Sequence, residues 1–195
     1  MIFRLGLTGS IGMGKSTTAR LFVDEGCVLW DADVAVHRLY AQGGAAVAPV
    51  LAEFPDAIVD GAVSRPALRE IIANDKTALH RIEAIVHPLV RKDRADFAEQ
   101  NPGKIGVFDI PLLYETGSET EFDAVACVSV TLEIQRKRVL ERGTMTEADL
   151  ETILSRQMPN TEKCARADYV IQTDTLEHAR QQVQDVLKDI QGKLR

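Results

Sequence analysis

The sequence has only three cysteines and no long apolar run. Cys27, Cys127 and Cys164 are far apart and show neither the spacing of a metal site nor an even-numbered disulfide framework. This usage predicts reduced, mostly buried thiols and a cytoplasmic location. No stretch approaches the length needed to cross a bilayer, and the amino terminus lacks the pattern of a secretory signal. The sequence therefore predicts neither export nor a membrane partner.

Basic residues are not in excess either. The chain has 23 Lys and Arg against 29 Asp and Glu, which gives a formal net charge of −6. Proteins that coat duplex nucleic acid usually present a basic face, so we expect no nucleic-acid partner, although a local basic cleft stays open. With 195 residues, 45% of them hydrophobic and 27% charged, the chain suits one globular domain over residues 1–195 with a substantial core.

Five short apolar runs, each bounded by polar or turn residues, predict the strands of a sheet. Longer helical stretches lie between them. This alternation predicts an α/β fold with a doubly wound, parallel, five-stranded sheet. The predicted strands are Ile2 to Thr8, Cys27 to Trp30, Ile105 to Asp109, Ala124 to Val130 and Tyr169 to Gln172.

The stretch from Asp33 to Asn101 is too long for a single crossover between parallel strands. Its pattern is almost wholly helical, with interruptions at Gly43-Gly44, Pro55, Gly61 and Pro66. We therefore predict a helical insert beside the sheet, over residues 35–100.

Residues 9–17, GSIGMGKST, follow the first predicted strand and precede a helix predicted from Lys15 to Asp24. Gly9, Gly14, Lys15 and Ser16 satisfy the phosphate-binding loop (P-loop) pattern G-x-x-x-x-G-K-[ST]. Glycines let backbone N–H groups turn onto an anion, and the helix N-terminus adds its positive end. The alternative is a glycine-rich turn that binds nothing.

In a nucleotide site of this kind, Lys15 would bridge the β- and γ-phosphates and Ser16 would ligate Mg²⁺. Thr17 would cap the helix and contact the α-phosphate. The residues predicted to bind ATP in this loop are Ser10, Ile11, Gly12, Met13, Gly14, Lys15, Ser16 and Thr17.

Two carboxylates, Asp31 and Asp33, follow the second predicted strand. Ligands collect at this edge of a parallel sheet, and strand alternation, if it persists, places both side chains on one face. One of them could accept a proton from an attacking hydroxyl or support a metal. Alternatively, Asp33 caps a helix from Val34 to Tyr40.

The third predicted strand ends at Asp109, an acid in the position that holds Mg²⁺ through water opposite a P-loop. Alternatively, Asp109 and Glu115 are only a turn residue and a helix-start residue. After the fourth strand, Arg138 and Arg142 share one face of a basic helical segment, which suits a clamp on phosphates. Basic helical runs are also common on solvated surfaces.

These motifs, taken in order, resemble those of the dephospho-CoA kinase family over about residues 2–190. The resemblance implies a P-loop NTPase core like that of nucleoside monophosphate kinases, and ATP-dependent phosphorylation of the ribose 3′-hydroxyl of dephospho-CoA, the last step of coenzyme A synthesis. It also implies a helical acceptor-binding region, at 35–100, and a mobile lid. From position alone, we predict that the lid covers residues 138–158, with Gly143 as part of its hinge. The matching segments are Gly9 to Thr17, Asp31-Ala-Asp33, His87-Pro88, Pro111-Leu-Leu-Tyr-Glu115, Gln135 with Arg138 and Arg142, Gln157, and Ala167-Asp-Tyr-Val-Ile171.

The resemblance also implies roles for single residues. Asp33 is then the base, Lys15 and Arg138 hold the γ-phosphate, and Arg142 contacts ATP from the lid. The acceptor is assigned to Asp33, Arg65, His87 and Leu112, and Mg²⁺ to Ser16 and Asp109. By itself, His87 before a proline would be only a helix-boundary residue. The implied partners are ATP, Mg²⁺ and dephospho-CoA, with the protein a monomer or weak homo-oligomer.

The sequence departs from the family pattern at two positions. Pro55 follows Phe54 where relatives commonly have glycine, and Thr173 stands where asparagine often follows the last strand. Two other functions also remain open. One is a kinase for another small molecule, such as a nucleoside monophosphate or shikimate. The other is a nucleotide-dependent switch, whose guanine-specific form would need an Asn-Lys-x-Asp segment that the sequence lacks.

Overall fold

A computed structural model of the chain describes residues 1–194. The first elements in chain order are β1 (Phe3–Thr8), α1 (Lys15–Asp24), β2 (Val28–Asp31), α2 (Ala32–Tyr40), α3 (Val47–Glu53), β3 (Ile58–Val59), β4 (Ala62–Val63), α4 (Arg65–Asn74) and α5 (Ala78–Glu99). They are followed by β5 (Ile105–Asp109), β6 (Ala124–Ser129), α6 (Leu132–Glu141), α7 (Glu147–Arg156), α8 (Asn160–Arg166), β7 (Tyr169–Gln172) and α9 (Leu176–Lys193).

The predicted five-stranded sheet is present, in the order β2-β5-β1-β6-β7. β1 runs parallel to both β5 and β6, and β6 runs parallel to β7. The predicted bounds are correct for β5 and β7 and differ by one residue at one or both ends of the other three strands. The doubly wound α/β architecture is confirmed.

The chain divides into two compact units, one of residues 1–30 and 101 onward and one of residues 31–100. The core of the first unit is one apolar cluster that includes Leu5 and Leu7 of β1, both fully buried. α9 adds Val183, Leu187 and Ile190, whose spacing places them on one face of the helix. Because β1 is central and packed on both faces, the loop that follows it starts from a rigid position.

The order of the strands also places that loop. The chain builds β2 and β5 on one side of β1 and then crosses to β6 on the other side. Ligands of open α/β sheets bind outside the carboxyl ends of the strands at such a switch point. The P-loop leaves β1 at this position.

In the second unit the apolar faces of α2, α3, α4 and α5 pack against one another. The unit is not wholly helical, however. β3 and β4 form an antiparallel hairpin that the sequence analysis missed. Asp60 and Gly61 make its turn with positive φ angles of 50° and 74°. Asp-Gly is a preferred pair for such two-residue turns, so the pattern was present in the sequence.

Two local predictions in this unit were wrong. α2 begins at Ala32, because the Asp31 carboxylate accepts a hydrogen bond of 2.9 Å from the Val34 backbone N–H. Asp31 is therefore the helix cap, whereas Asp33 lies inside the first turn, so the two carboxylates do not alternate along one strand.

No helix among residues 1–194 is long and apolar enough to cross a membrane.

The prolines of this unit also differ from expectation. Pro66 does not interrupt a helix but lies at the start of α4, where its missing N–H costs nothing. Pro88 lies inside α5, so its neighbour His87 is not a helix-boundary residue. Pro55 begins a 3₁₀ turn, and the guanidinium of Arg81 lies 4.6 Å from the ring centre of Phe54.

Candidate active site

The P-loop turns sharply between β1 and α1. Gly12 and Gly14 have φ angles of 78° and 91°, a conformation that other residues rarely adopt. A Cβ atom on Gly12 would lie 2.6 Å from a methyl group of Val139, so space as well as backbone angle requires glycine there. Gly14 is the N-terminal cap of α1, and the prediction that Thr17 caps this helix was wrong.

Lys15 and Asp109 are brought together at the head of α1. The Lys15 ammonium forms an ion pair with the Asp109 carboxylate, and the two side chains are only 16% and 4% exposed. Asp109 ends β5 opposite Leu7 of β1, so the sheet register places this carboxylate beside the P-loop. An ammonium group has three donors, which leaves Lys15 able to bind a phosphate oxygen while it stays beside Asp109.

The residues predicted to hold Mg²⁺ have suitable chemistry. Ser16 offers an exposed hydroxyl in the first turn of α1, and Asp109 offers a carboxylate, both of them oxygen donors. Among residues 1–194 no three His, Cys, Asp or Glu side chains are grouped to hold a metal ion. Few protein ligands are expected for Mg²⁺, which keeps several waters and binds substrate phosphates.

Three polar side chains from the last third of the chain hold the P-loop backbone. The Ser10 N–H donates to the Asn160 side chain at 2.9 Å. Gln135, which is 1% exposed, donates to the Ile11 carbonyl at 2.7 Å. The Thr173 hydroxyl donates to the Met13 carbonyl at 2.7 Å. The conformation of the loop therefore depends on residues far away in sequence, which is why sequence analysis assigned none of them this role.

A cavity of about 290 Å³ opens beside the head of α1. The Arg138 guanidinium lies on its wall and donates to the Thr173 hydroxyl at 3.1 Å and to the Thr173 carbonyl at 2.6 Å. Both predicted clamp arginines thus face one space. The cavity is lined by Gly14, Thr17, Thr18, Arg138, Arg142, Thr173, Thr175, Leu176 and Ala179.

The alternative prediction for this basic helix, that its charged side chains lie on a solvated surface, is correct for one other arginine. Arg136 is exposed and forms ion pairs with Glu147 and Glu151 of α7. The segment therefore has two faces, one toward α7 and solvent and one toward the cavity.

Hydrogen bonds from two other elements hold the turn that follows β5. The Pro111 carbonyl accepts hydrogen bonds from the Thr8 hydroxyl at 3.2 Å and from the Lys163 ammonium at 3.0 Å. Lys163 is fully buried and lies 2.8 Å from a carboxylate oxygen of Glu115, which also accepts from the Met158 N–H at 2.9 Å. Glu115 is therefore an ion-pair partner rather than a helix-start residue.

Opposing effects act on the pKa of Glu115. Burial raises it, but the hydrogen bond and charge of Lys163 and the Met158 N–H outweigh burial and hold the pKa below its usual value. The carboxylate is therefore ionised at neutral pH, and the Lys163–Glu115 pair is a charged pair.

The predicted acceptor residues lie mainly in the second unit. Asp33 is exposed in the first turn of α2, and His87 is exposed on α5. Arg65 begins α4, with its guanidinium 5.9 Å from the ring centre of Tyr40. In the first unit, Leu112 is 42% exposed in the turn after β5. Each of these side chains is accessible, and their roles stay predictions.

Comparison with known proteins places the chain in a family. The model of the dephospho-CoA kinase family matches residues 3–178. The dephospho-CoA kinase of Ruegeria pomeroyi is 69% identical over 192 residues, 98% of both chains. The solved structures of TT1252 from Thermus thermophilus (TM-score 0.84, 29% identity, 100% and 98% covered) and of dephospho-CoA kinase from Campylobacter jejuni (TM-score 0.74, 23% identity, 100% of both chains) share the fold. The chain belongs to the dephospho-CoA kinase family.

Proposed function

We propose that this protein transfers the terminal phosphoryl group of ATP to the ribose 3′-hydroxyl of dephospho-CoA, the step that completes coenzyme A. The observation that carries the proposal is the pairing of Lys15 with Asp109 at the head of α1, in a chain that matches this kinase family almost from end to end. Family membership favours this acceptor over shikimate or a nucleoside monophosphate.

In the proposed reaction, the P-loop backbone and Lys15 bind the β- and γ-phosphates of ATP. The acceptor oxygen attacks the γ-phosphorus, the bond to the β-phosphate oxygen breaks, and ADP leaves. Asp33 orients the acceptor hydroxyl and takes its proton. Lys15 and Arg138 stabilise charge on the moving group, and such preorganised donors are a large part of phosphoryl-transfer catalysis.

Ser16, and Asp109 through water, would hold Mg²⁺, which neutralises charge on the β- and γ-phosphate oxygens when it is bound. The donor chemistry of both side chains suits this ion. Loss of Mg²⁺ affinity in Asp109→Asn, measured by titration of the ATP-bound protein, would support this assignment independently of turnover. Unchanged Mg²⁺ affinity would argue against it.

The cavity beside Arg138 and Arg142 is the proposed place for the nucleoside part of ATP. It adjoins Gly14 and has about 290 Å³ of space. The Thr173 hydroxyl is already used by Met13 and Arg138, so base recognition depends on other groups of this wall, such as Thr175 and Leu176.

Residues 138–158 are the proposed lid, which closes over the phosphates and keeps out water, the competing acceptor. The segment contains the end of α6, the whole of α7, and Gly143, whose φ of 65° and open surroundings suit a hinge. Hydrogen exchange of this segment with and without both substrates tests the idea, and unchanged protection would reject it. We also propose a cytoplasmic enzyme that is a monomer or a weak homo-oligomer.

The test of function is a product analysis with purified protein, ATP and Mg²⁺. Dephospho-CoA should gain one phosphate at the ribose 3′ position, whereas shikimate and nucleoside monophosphates should not react. Lys15→Met should abolish the product, while Lys76→Met, at an exposed position, serves as the matched control. Hydrolysis of ATP without an acceptor, stimulated by a protein partner, would instead favour a nucleotide switch.

A further inference from the structure

Two of the three cysteines meet in the fold although they are 37 residues apart. The sulfur atoms of Cys127 on β6 and Cys164 on α8 are 3.3 Å apart, and both residues are free thiols. We propose that this pair is an oxidisable dithiol: hydrogen peroxide converts it to an intramolecular disulfide, and the disulfide weakens nucleotide binding at the P-loop.

The two thiols differ in access, which sets the order of events. Cys164 is partly exposed and Cys127 is buried, so peroxide reaches Cys164 first. The Cys164 thiolate displaces hydroxide from peroxide and becomes a sulfenic acid. Cys127 then attacks that sulfur, and water leaves. In total two thiols and one peroxide give one disulfide and two waters, with the electrons of the sulfurs reducing the peroxide.

The surroundings of Cys127 disfavour a first attack on peroxide by this thiol. Burial and its contact with the Cys164 sulfur raise the pKa of the Cys127 thiol, although the nearby charge of Lys163 acts in the opposite direction. A buried thiol of this kind is inert toward dissolved oxidants. The sulfur in contact with it, Cys164, is its available partner.

Asn160 links the pair to the P-loop. It lies one turn before Cys164 on α8, and its amide nitrogen is 3.6 Å from the Cys164 sulfur while its carbonyl oxygen is 3.9 Å from the Cys127 sulfur. The same oxygen accepts the hydrogen bond of the Ser10 N–H at 2.9 Å. The sulfurs of a disulfide are about 2.05 Å apart, so oxidation must bring the two sulfurs more than 1 Å closer, and Cys127 loses the thiol hydrogen that it directs at the Asn160 oxygen.

This inference rests on one part of the proposed function, namely that the P-loop binds ATP. The full-length protein is titrated with hydrogen peroxide and followed by intact mass and peptide mapping under non-reducing conditions. We expect the loss of two hydrogen atoms and a linkage between Cys127 and Cys164. The affinity for a non-hydrolysable ATP analogue should fall by about 5- to 10-fold, the size of one lost hydrogen bond, and recover with dithiothreitol.

Two variants complete the design. Cys164→Ser should form no linkage and keep its nucleotide affinity under peroxide, whereas Cys27→Ser, which removes the third thiol, should behave as the wild type. Oxidation of Cys164 to sulfinic acid without a linkage to Cys127 would overturn the proposal. A linkage that leaves the nucleotide affinity unchanged would overturn it too. Neither readout needs phosphoryl transfer, so a failure of the proposed reaction would remain distinguishable from a failure of the dithiol.

Discussion

Replacement of the buried lysine of α8 by methionine tests how the turn after β5 is held. The Lys163 side chain is fully buried, 2.8 Å from Glu115 and 3.0 Å from the Pro111 carbonyl. Methionine retains most of the apolar stem but removes the charge. The Glu115 side chain, only 18% exposed, would then lose its counter-ion.

The expected cost follows from that burial. Removing one partner of a buried ion pair usually costs about 3–5 kcal/mol. For a chain of this size, each kcal/mol lowers the melting temperature by about 2–4 °C, so the Lys163→Met variant should melt roughly 6–20 °C lower. Thermal and urea unfolding measure this directly. Lys188→Met, at a site whose side chain is 72% exposed, is the matched control and should change stability by less than about 0.5 kcal/mol.

A second substitution separates charge from packing. Adding Glu115→Gln to Lys163→Met should restore part of the lost stability, because the amide needs no counter-ion and can still accept the Met158 N–H. If the double variant is no more stable than the single one, or if Lys163→Met loses less than about 1 kcal/mol, the charged pair is not what holds this turn.

The pH dependence of the wild type has a definite sign. The pKa of Glu115 in the folded state lies below its usual value of 4.5. The pair therefore contributes its full stability above the unfolded pKa and loses it as the pH falls through the folded pKa. Glu115→Gln should flatten this part of the acid unfolding profile, and an unchanged profile would contradict the pairing.

Three further substitutions address the proposed reaction. Asp33→Asn should keep ATP affinity but lower kcat by ~10² to 10⁴, the usual effect of losing a positioned base, and near-normal turnover would reject that role. Arg138→Ala should cost on the order of 3 kcal/mol in transition-state stabilisation, whereas a loss confined to the KM for ATP would assign it to the ground state. Thr173→Val removes the hydrogen bond to Met13 and should raise the KM for ATP by up to ~10-fold, with Thr173→Ser restoring it; an unaltered KM would show that the loop does not need this hydroxyl.

The P-loop could be predicted because its chemistry is local. Nine consecutive residues contain the glycines, the lysine and the hydroxyl groups, and the strand before them and the helix after them are equally visible in the sequence. The position of Asp109 at the end of β5 was also predictable, since an apolar strand that ends in an acid is a short pattern. Its ion pair with Lys15 follows from the sheet register rather than from any pattern in the sequence.

The wrong predictions for the start of α2 and for the β3–β4 hairpin have local causes. β2 extends one residue further than predicted, so Asp31 rather than Asp33 stands where α2 begins, and two aspartates two positions apart compete for one capping role. The hairpin of β3 and β4 has only two residues in each strand, which is too short for alternation to show. In both cases a shift of one or two residues changes which side chain is available for chemistry.

The tertiary contacts that support the P-loop could not be predicted from the sequence. Asn160, Gln135 and Thr173 carry side chains that occur everywhere on protein surfaces, and nothing in their spacing marks them as supports for a loop that begins at Gly9. The approach of Cys127 and Cys164 was equally hidden, because the two residues are 37 positions apart, with two helices and part of a third between them.

The supports of the P-loop also relate it to the proposed lid. Gln135, which holds the Ile11 carbonyl, lies one turn before Arg138 on α6, and Arg138 shares Thr173 with the Met13 carbonyl. A movement of α6 that repositions Arg138 must therefore strain or release at least one of these hydrogen bonds. If residues 138–158 act as the proposed lid, these hydrogen bonds link its position to the conformation of the P-loop backbone.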